Sequence, residues 1–198
     1  IQLELIAPSG HVSKNTSQEH MLAFYRSFDE GRDRTFDGLI ITGAPVENLP
    51  FEEVDYWDEL VGIMDYAKKH VHATLYICWG AQAGLYHHYG IPKYGLPRKL
   101  SGIFSHTIND PTNQLFRGFD DVFHAPHSRH TEVRGEDIAK IPSLEILAES
   151  DEAGVLVAGT LDGRSMFITG HLEYDRDTLD AEYRRDVAKG MEIAPPAH

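Results

Sequence analysis

The stretch Ala73-Thr74-Leu75-Tyr76-Ile77-Cys78-Trp79-Gly80-Ala81-Gln82-Ala83-Gly84-Leu85-Tyr86 decides the fold. A short apolar run ends at Cys78 and a segment rich in small residues begins at once, which predicts a buried strand turning directly into a helix. A turn that sharp is the layout of a nucleophile elbow. It lifts the side chain at its apex clear of the sheet, aims it at the positive end of the next helix, and leaves the following backbone N–H free to hold an oxyanion. A helix N-terminus also lowers a thiol pKa, so a reactive Cys78 is expected to ionise more easily than a free cysteine. A buried, inert cysteine fits the same position, and position alone does not separate the two.

Outward from the elbow, Gly38-Leu39-Ile40-Ile41-Thr42, ended by Gly43-Ala44-Pro45, predicts a second strand buried on both faces, followed by a loop that carries Glu47. Over residues 53–70 the apolar positions Val54, Trp57, Val61, Met64 and Ala67 recur at helical spacing. Ile1-Gln2-Leu3-Glu4-Leu5-Ile6 reads as a strand, and Thr16-Ser17-Gln18-Glu19 has capping-box spacing ahead of a helix over 20–25. Beyond Pro92 the pattern predicts short strands at 102–105, 121–124, 144–149, 154–158 and 165–169, then a helix over 178–190. Strands alternating with helices, then strands alone, indicate an α/β domain with a mainly parallel sheet, flanking helices and added antiparallel strands. No repeat or linker interrupts it, so a single domain over 1–198 is expected.

The chain of 198 residues carries 18 Lys+Arg against 31 Asp+Glu, a formal net charge of −13. That balance disfavours nucleic acid and anionic membrane surfaces as partners, because both are held chiefly by clustered cations. Apolar runs such as Leu39-Ile40-Ile41 fall far short of the ~20 residues of a spanning helix. The one cysteine, Cys78, excludes an internal disulfide and any multi-cysteine metal site, and fits a reducing cytoplasm.

The second chemical feature is Thr169-Gly170-His171-Leu172-Glu173-Tyr174. In an extended segment residues i and i+2 point to one side, so Glu173 could orient the His171 ring and stabilise its protonated form. A surface histidine beside a solvated glutamate is the alternative. With Cys78 at another strand end of the same sheet, the three make a hydrolase or acyl-transfer site. His127 and His130, three residues apart, could suggest a metal, but no metal site is expected.

Ile77-Cys78-Trp79-Gly80-Ala81-Gln82 resembles the cysteine elbow of class I glutamine amidotransferases, and His171-Leu172-Glu173 resembles their His-Pro-Glu, with Leu172 where proline is common. More closely, the chain resembles the homoserine O-acyltransferase family of methionine biosynthesis, a branch of the same flavodoxin-like superfamily. The matching stretches include Ser13-Lys14-Asn15-Thr16, Phe36 through Pro45, the elbow, Tyr89-Gly90-Ile91-Pro92-Lys93, Arg117-Gly118-Phe119-Asp120-Asp121, Pro126-His127-Ser128-Arg129-His130 and Gly170 through Asp175.

The resemblance implies a Cys78 acyl-thioester nucleophile, His171 as general base and Glu173 completing the triad, with Lys99, Ser128 and Arg185 binding substrate. It implies a ping-pong transfer from an acyl-CoA co-substrate to the homoserine hydroxyl, the first committed step of methionine biosynthesis, with no bound cofactor, in a cytoplasmic homodimer. Glu47 implies acetyl-CoA, since a carboxylate facing the acyl pocket would repel and displace the free carboxylate of a succinyl group. The backbone N–H groups of Trp79 and Ala44 are the expected oxyanion hole. Lys93, Arg98, Arg129 and Arg184 add cations for the CoA phosphates and the amino-acid carboxylate. Succinyl-CoA as donor, serine as acceptor, glutaminase chemistry and a non-catalytic relative remain the alternatives. Compared with the family, an N-terminal segment with one strand and a C-terminal tail are expected beyond this sequence.

Overall fold

Residues 1–8, 25, 26, 28 and 34–197 are described by the computed structural model. The family-matching stretch 13–16, the capping box at 16–19 and the helix over 20–24 lie outside them. Tyr25, expected to close that helix, lies instead in strand β2 (Tyr25–Arg26), which pairs in parallel with β1 (Leu5–Ile6). The chain forms two compact units, Ile1–Leu39 with Leu49–Ala73, and Ile40–Asn48 with Thr74–His198.

The first unit holds β1, β2, most of β3 (Phe36–Ile41), a 3-10 turn (Phe51–Glu53) and helix α1 (Trp57–His70). Asp58 and Glu59 in the first turn of α1 and Lys68, Lys69 and His70 in the last oppose the helix dipole at each end. Its buried face is Trp57, Leu60, Ile63, Met64 and Ala67, with the Phe51 ring stacked on Trp57 at 5.2 Å. Val61, expected on that face, sits half-buried at its margin, because an apolar stripe over 100° wide places Leu60 and Ile63 nearer its centre.

The second unit is built on a sheet. Strand β4 (Val71–Ile77) leads into α2 (Trp79–Tyr89); then come β5 (Tyr94–Ile108), β6 (Val122–Glu132), the single turn α3 (Gly135–Ile138), β7 (Leu144–Ser150), β8 (Gly154–Thr160), β9 (Ser165–Ile168) and α4 (Thr178–Ala188). The strand order is β3-β4-β9-β8-β7-β5-β6. The β4–β9 pair is parallel, and β9–β8, β8–β7, β7–β5 and β5–β6 are antiparallel, so the sheet is mixed and its antiparallel part comes from the second half of the chain. Ile108, Ala125, Leu147, Leu156, Val157 and Ile168 form a core between these strands.

Two strands run much further than their apolar runs predict: β5 spans 15 residues and β6 spans 11. The first part of β5 carries Pro97, Arg98 and Lys99 and shifts register between Gly95 and Leu100, and β6 carries polar residues throughout, so neither shows as an apolar window. Among the described residues, no helix is long and apolar enough to cross a membrane.

The elbow is positioned by a close approach at Gly80. A Cβ there would lie 2.7 Å from the Ile41 carbonyl oxygen and 2.8 Å from that of Thr42, both backbone atoms that cannot swing away. Gly62, in α1, has no atom of the described residues within 4 Å of the same position. In a helix interior alanine normally outperforms glycine by about 0.5–1 kcal/mol. Denaturant unfolding should therefore show Gly62→Ala gaining that amount, while Gly80→Ala loses about 1–3 kcal/mol through overpacking.

Candidate active site

Cys78 stands between β4 and α2 with φ 52° and ψ −118°, and is the one non-glycine residue with positive φ among those described. Such a conformation costs on the order of 1–3 kcal/mol and persists only where its surroundings hold it. Here the Cys78 N–H donates to the Ile168 carbonyl at the end of β9 (2.7 Å), and its own carbonyl accepts from the N–H groups of Ala81 (3.0 Å) and Gln82 (3.2 Å). The Trp79 backbone N–H favours the ionised form of the sulfur. Gly43 packs against the same side chain: a Cβ on it would sit 3.1 Å from the Cys78 Cβ and 3.7 Å from Sγ. The elbow and the Gly43-Ala44 turn are thus placed around one thiol.

The thiol does not ionise easily. Burial, and then the nearby charge of Glu47, push its pKa up to about 12, outweighing the Trp79 N–H and the charge of Arg129, which pull the other way. The lowered pKa expected from the helix N-terminus is therefore overturned, because a half-buried sulfur facing a carboxylate loses more than one helix end returns.

His171 lies just past β9, the parallel neighbour of β4, so the two strands deliver cysteine and histidine from adjacent C-terminal ends. The expected contact is present: His171 Nδ1 is 2.7 Å from Glu173 Oε1. It is made in a turn rather than in an extended strand, since the Tyr174 N–H donates to the His171 carbonyl at 3.3 Å. The His171 N–H donates to the Pro126 carbonyl (2.9 Å), and its ring stacks on Tyr174 at 4.2 Å. A neutral ring that donates Nδ1–H to Glu173 keeps a lone pair on Nε2, the form a general base needs. The Glu173 charge is also felt at the Cys78 sulfur, raising its pKa further.

Glu47 is fixed rather than loose. Its Oε2 accepts from the His130 N–H (2.8 Å) and lies 3.2 Å from the Thr131 hydroxyl, which is 2.8 Å from Gln82 Oε1 on the elbow helix. Lys93 Nζ donates to the Glu47 carbonyl at 2.5 Å. Lys99 is buried and donates to Asp186 Oδ2 at 2.7 Å; Ser128 is buried in β6 opposite Ser101; Arg185, half-exposed on α4, donates from Nε to Asp186 Oδ1 at 3.0 Å.

The other expected cations serve elsewhere. Arg129 is buried, donating to the carbonyls of Thr131 (2.8 Å) and Ala153 (2.5 Å), so it faces no phosphate. Arg184 pairs on the surface with Asp180 (2.7 Å), and Arg98 is exposed. His127 does not join His130: its Nε2 faces His106 Nε2 at 3.0 Å, and burial pushes its pKa down to about 2, so it stays neutral.

Sequence reading missed Glu182 and Asp186. Glu182 Oε1 accepts from the Tyr174 hydroxyl (3.1 Å) and lies 3.7 Å from Arg185 Nη2, while its buried Oε2 has no hydrogen-bond partner among the described residues. The signal was the three-residue spacing of Glu182 and Arg185 on one helix, which puts opposite charges on one face.

The sheet that brings a cysteine elbow and a histidine–glutamate turn to adjacent strand ends is a glutamine amidotransferase-like α/β fold. A solved glutamine amidotransferase of Thermotoga maritima shares this fold, with a TM-score of 0.63 at 13% identity over 88% of this chain and 79% of that one. The chain belongs to the homoserine O-succinyltransferase family, whose model matches residues 1–198. Similar proteins named homoserine O-acetyltransferase come from Brevibacillus brevis and Acetivibrio thermocellus, each 59% identical over 99% of this chain. The chain spans 64% of the length of either relative.

The raised thiol pKa is directly measurable. Alkylation of Cys78 by iodoacetamide should climb with pH past 10 without levelling, and Glu47→Gln, by removing a negative charge, should shift the profile toward lower pH. A plateau below pH 8 in the unsubstituted protein would contradict the electrostatics described above.

Proposed function

We propose that the protein transfers an acetyl group from acetyl-CoA to the hydroxyl of L-homoserine through an acyl-thioester on Cys78, a step of methionine biosynthesis. The observation that carries this reading is the 2.7 Å His171–Glu173 pair in the turn after β9, the strand beside the one that ends at the Cys78 elbow, in a chain of this family. Acetyl-CoA is a co-substrate, and no resident cofactor is needed.

With the thiol pKa near 12, little free thiolate exists at neutral pH, so attack is coupled to proton removal. His171 Nε2 takes the thiol proton as Sγ bonds to the thioester carbonyl carbon, and Glu173 stabilises the imidazolium that forms. The carbonyl oxygen gathers negative charge toward the Trp79 N–H and the Gly43-Ala44 turn. When the tetrahedral centre collapses, CoA leaves as a thiolate and takes the proton from His171. In the second half, His171 removes the homoserine hydroxyl proton, the alkoxide attacks the acyl carbon, and Cys78 departs and regains its proton. A thioester intermediate keeps the acyl group as reactive as in the donor, so only the weak alcohol nucleophile needs activating.

The acceptor is an α-amino acid, and α4 offers matching groups. Arg185 suits its carboxylate, and the unpartnered Glu182 Oε2 suits its ammonium. Ser128 and Lys99 border the same region in this reading. Glu47, pinned by the His130 N–H, forms a fixed anionic wall that admits an acetyl group and repels a succinyl carboxylate.

Initial rates with homoserine and either donor test this reading. The unsubstituted protein should prefer acetyl-CoA, and Glu47→Gly should move the preference toward succinyl-CoA by about tenfold or more, the effect of removing one ~1.4 kcal/mol repulsion. Preference for succinyl-CoA in the unsubstituted protein, or no shift in Glu47→Gly, would overturn the donor assignment.

A further inference from the structure

We propose that Asp186 is a positioning residue that joins Lys99 and Arg185 into one unit for the carboxylate of the amino-acid acceptor. This rests on the acceptor reading above but assigns a role to a residue outside the triad and outside the substrate contacts.

Asp186 is 4% exposed, and each of its oxygens is taken by a different cation. Oδ2 accepts from Lys99 Nζ at 2.7 Å and Oδ1 from Arg185 Nε at 3.0 Å. The first bond ties β5 to α4 across 87 residues of sequence. Burial pushes the Asp186 carboxyl up, but the hydrogen bonds and charges of Lys99 and Arg185 together hold it below its ordinary range, so it stays ionised. A buried carboxylate stripped of one partner is strongly destabilising, which explains why the pair is closed on both sides.

The geometry also decides which part of Arg185 remains free. With Nε held by Asp186, the Nη edge is the one left to face a ligand, and Glu182 Oε1 lies 3.7 Å from Nη2. A flexible arginine would have to be ordered by the substrate itself, at a cost of roughly tenfold in affinity per immobilised long side chain. Asp186 orders it beforehand. Lys99, Asp186, Arg185 and Glu182 form one series of alternating charges, and the Arg185 Nη edge and Glu182 Oε2 are the complements of the carboxylate and ammonium of an α-amino acid zwitterion.

The two half-reactions separate this role from a general structural one. In Asp186→Asn the side chain keeps its shape but loses its charge and turns a donor toward a cation. Its KM for homoserine should rise about tenfold or more, as expected for lost charged hydrogen bonds. Its rate at saturating homoserine, and the burst of CoA released on mixing with acetyl-CoA alone, should stay within about twofold. A fold defect would depress the burst as well.

Because a half-broken buried pair can unfold a protein, Asp186→Glu, which keeps the charge, provides the second variant and should hold the homoserine KM below that of Asp186→Asn. An unchanged KM in Asp186→Asn, a KM in Asp186→Glu no lower than in Asp186→Asn, or equal loss in both half-reactions, would overturn the proposal. Absence of any CoA burst in the unsubstituted protein would instead sink the acyl-thioester reading on which it rests.

Discussion

The left-handed backbone at Cys78, with φ 52°, is held by the hydrogen bond from its N–H to Ile168 and by the helix that starts one residue later. The geometry of the site follows from it. Because the strand must turn within one residue, α2 begins against the carbonyls of Ile41 and Thr42, and only a residue without a side chain fits at position 80. Because the N–H at the apex is satisfied by the last residue of β9, that strand is fixed beside β4 and its continuation brings His171 to the same end of the sheet. Gly170 lets this continuation lie directly on β6, where a Cβ would fall 2.8 Å from the Pro126 carbonyl oxygen. A reactive group on a loop free to move would lack that registration.

The charges around the elbow have a different origin from its shape. The helix start favours a thiolate, yet burial and Glu47 disfavour it more strongly, and the thiol rests protonated. This suits a two-step acyl transfer, because a thiol that ionises only as a base takes its proton is shielded from adventitious alkylation and oxidation between turnovers. Arg129, buried and capped by backbone carbonyls, is a positive charge that partly offsets burial and Glu47. In the proposed reaction the same Glu47 that raises the thiol pKa would form the anionic wall of the acyl pocket, which would couple donor choice and nucleophile activation through one carboxylate.

Where apolar runs and small residues set the outcome, the sequence was readable. The apolar runs ending at Thr42 and Cys78, the small residues after the cysteine and the short spacing of His171 and Glu173 each express a local rule, and each lands close to its expected place. The first run is a strand but is not buried on both faces, since Ile40 is 57% exposed and Ile41 is buried. The long polar strands were not readable, because β6 is built from His, Ser, Arg and Thr whose burial depends on partners far along the chain, such as the His106–His127 contact. The thiol pKa also escaped, since it depends on how deeply the elbow is covered and on Glu47, which is distant in sequence. Asp186 looked like one charge in an acidic and basic helix, and its place between Lys99 and Arg185 exists only after β5 and α4 have met.

The central claim is that Cys78 carries the acyl group. Intact mass spectrometry after mixing the protein with acetyl-CoA alone tests it most directly. A single added acetyl group that is absent in Cys78→Ala and is discharged by homoserine is the predicted result. An unmodified mass, or an adduct that persists in Cys78→Ala, would contradict it.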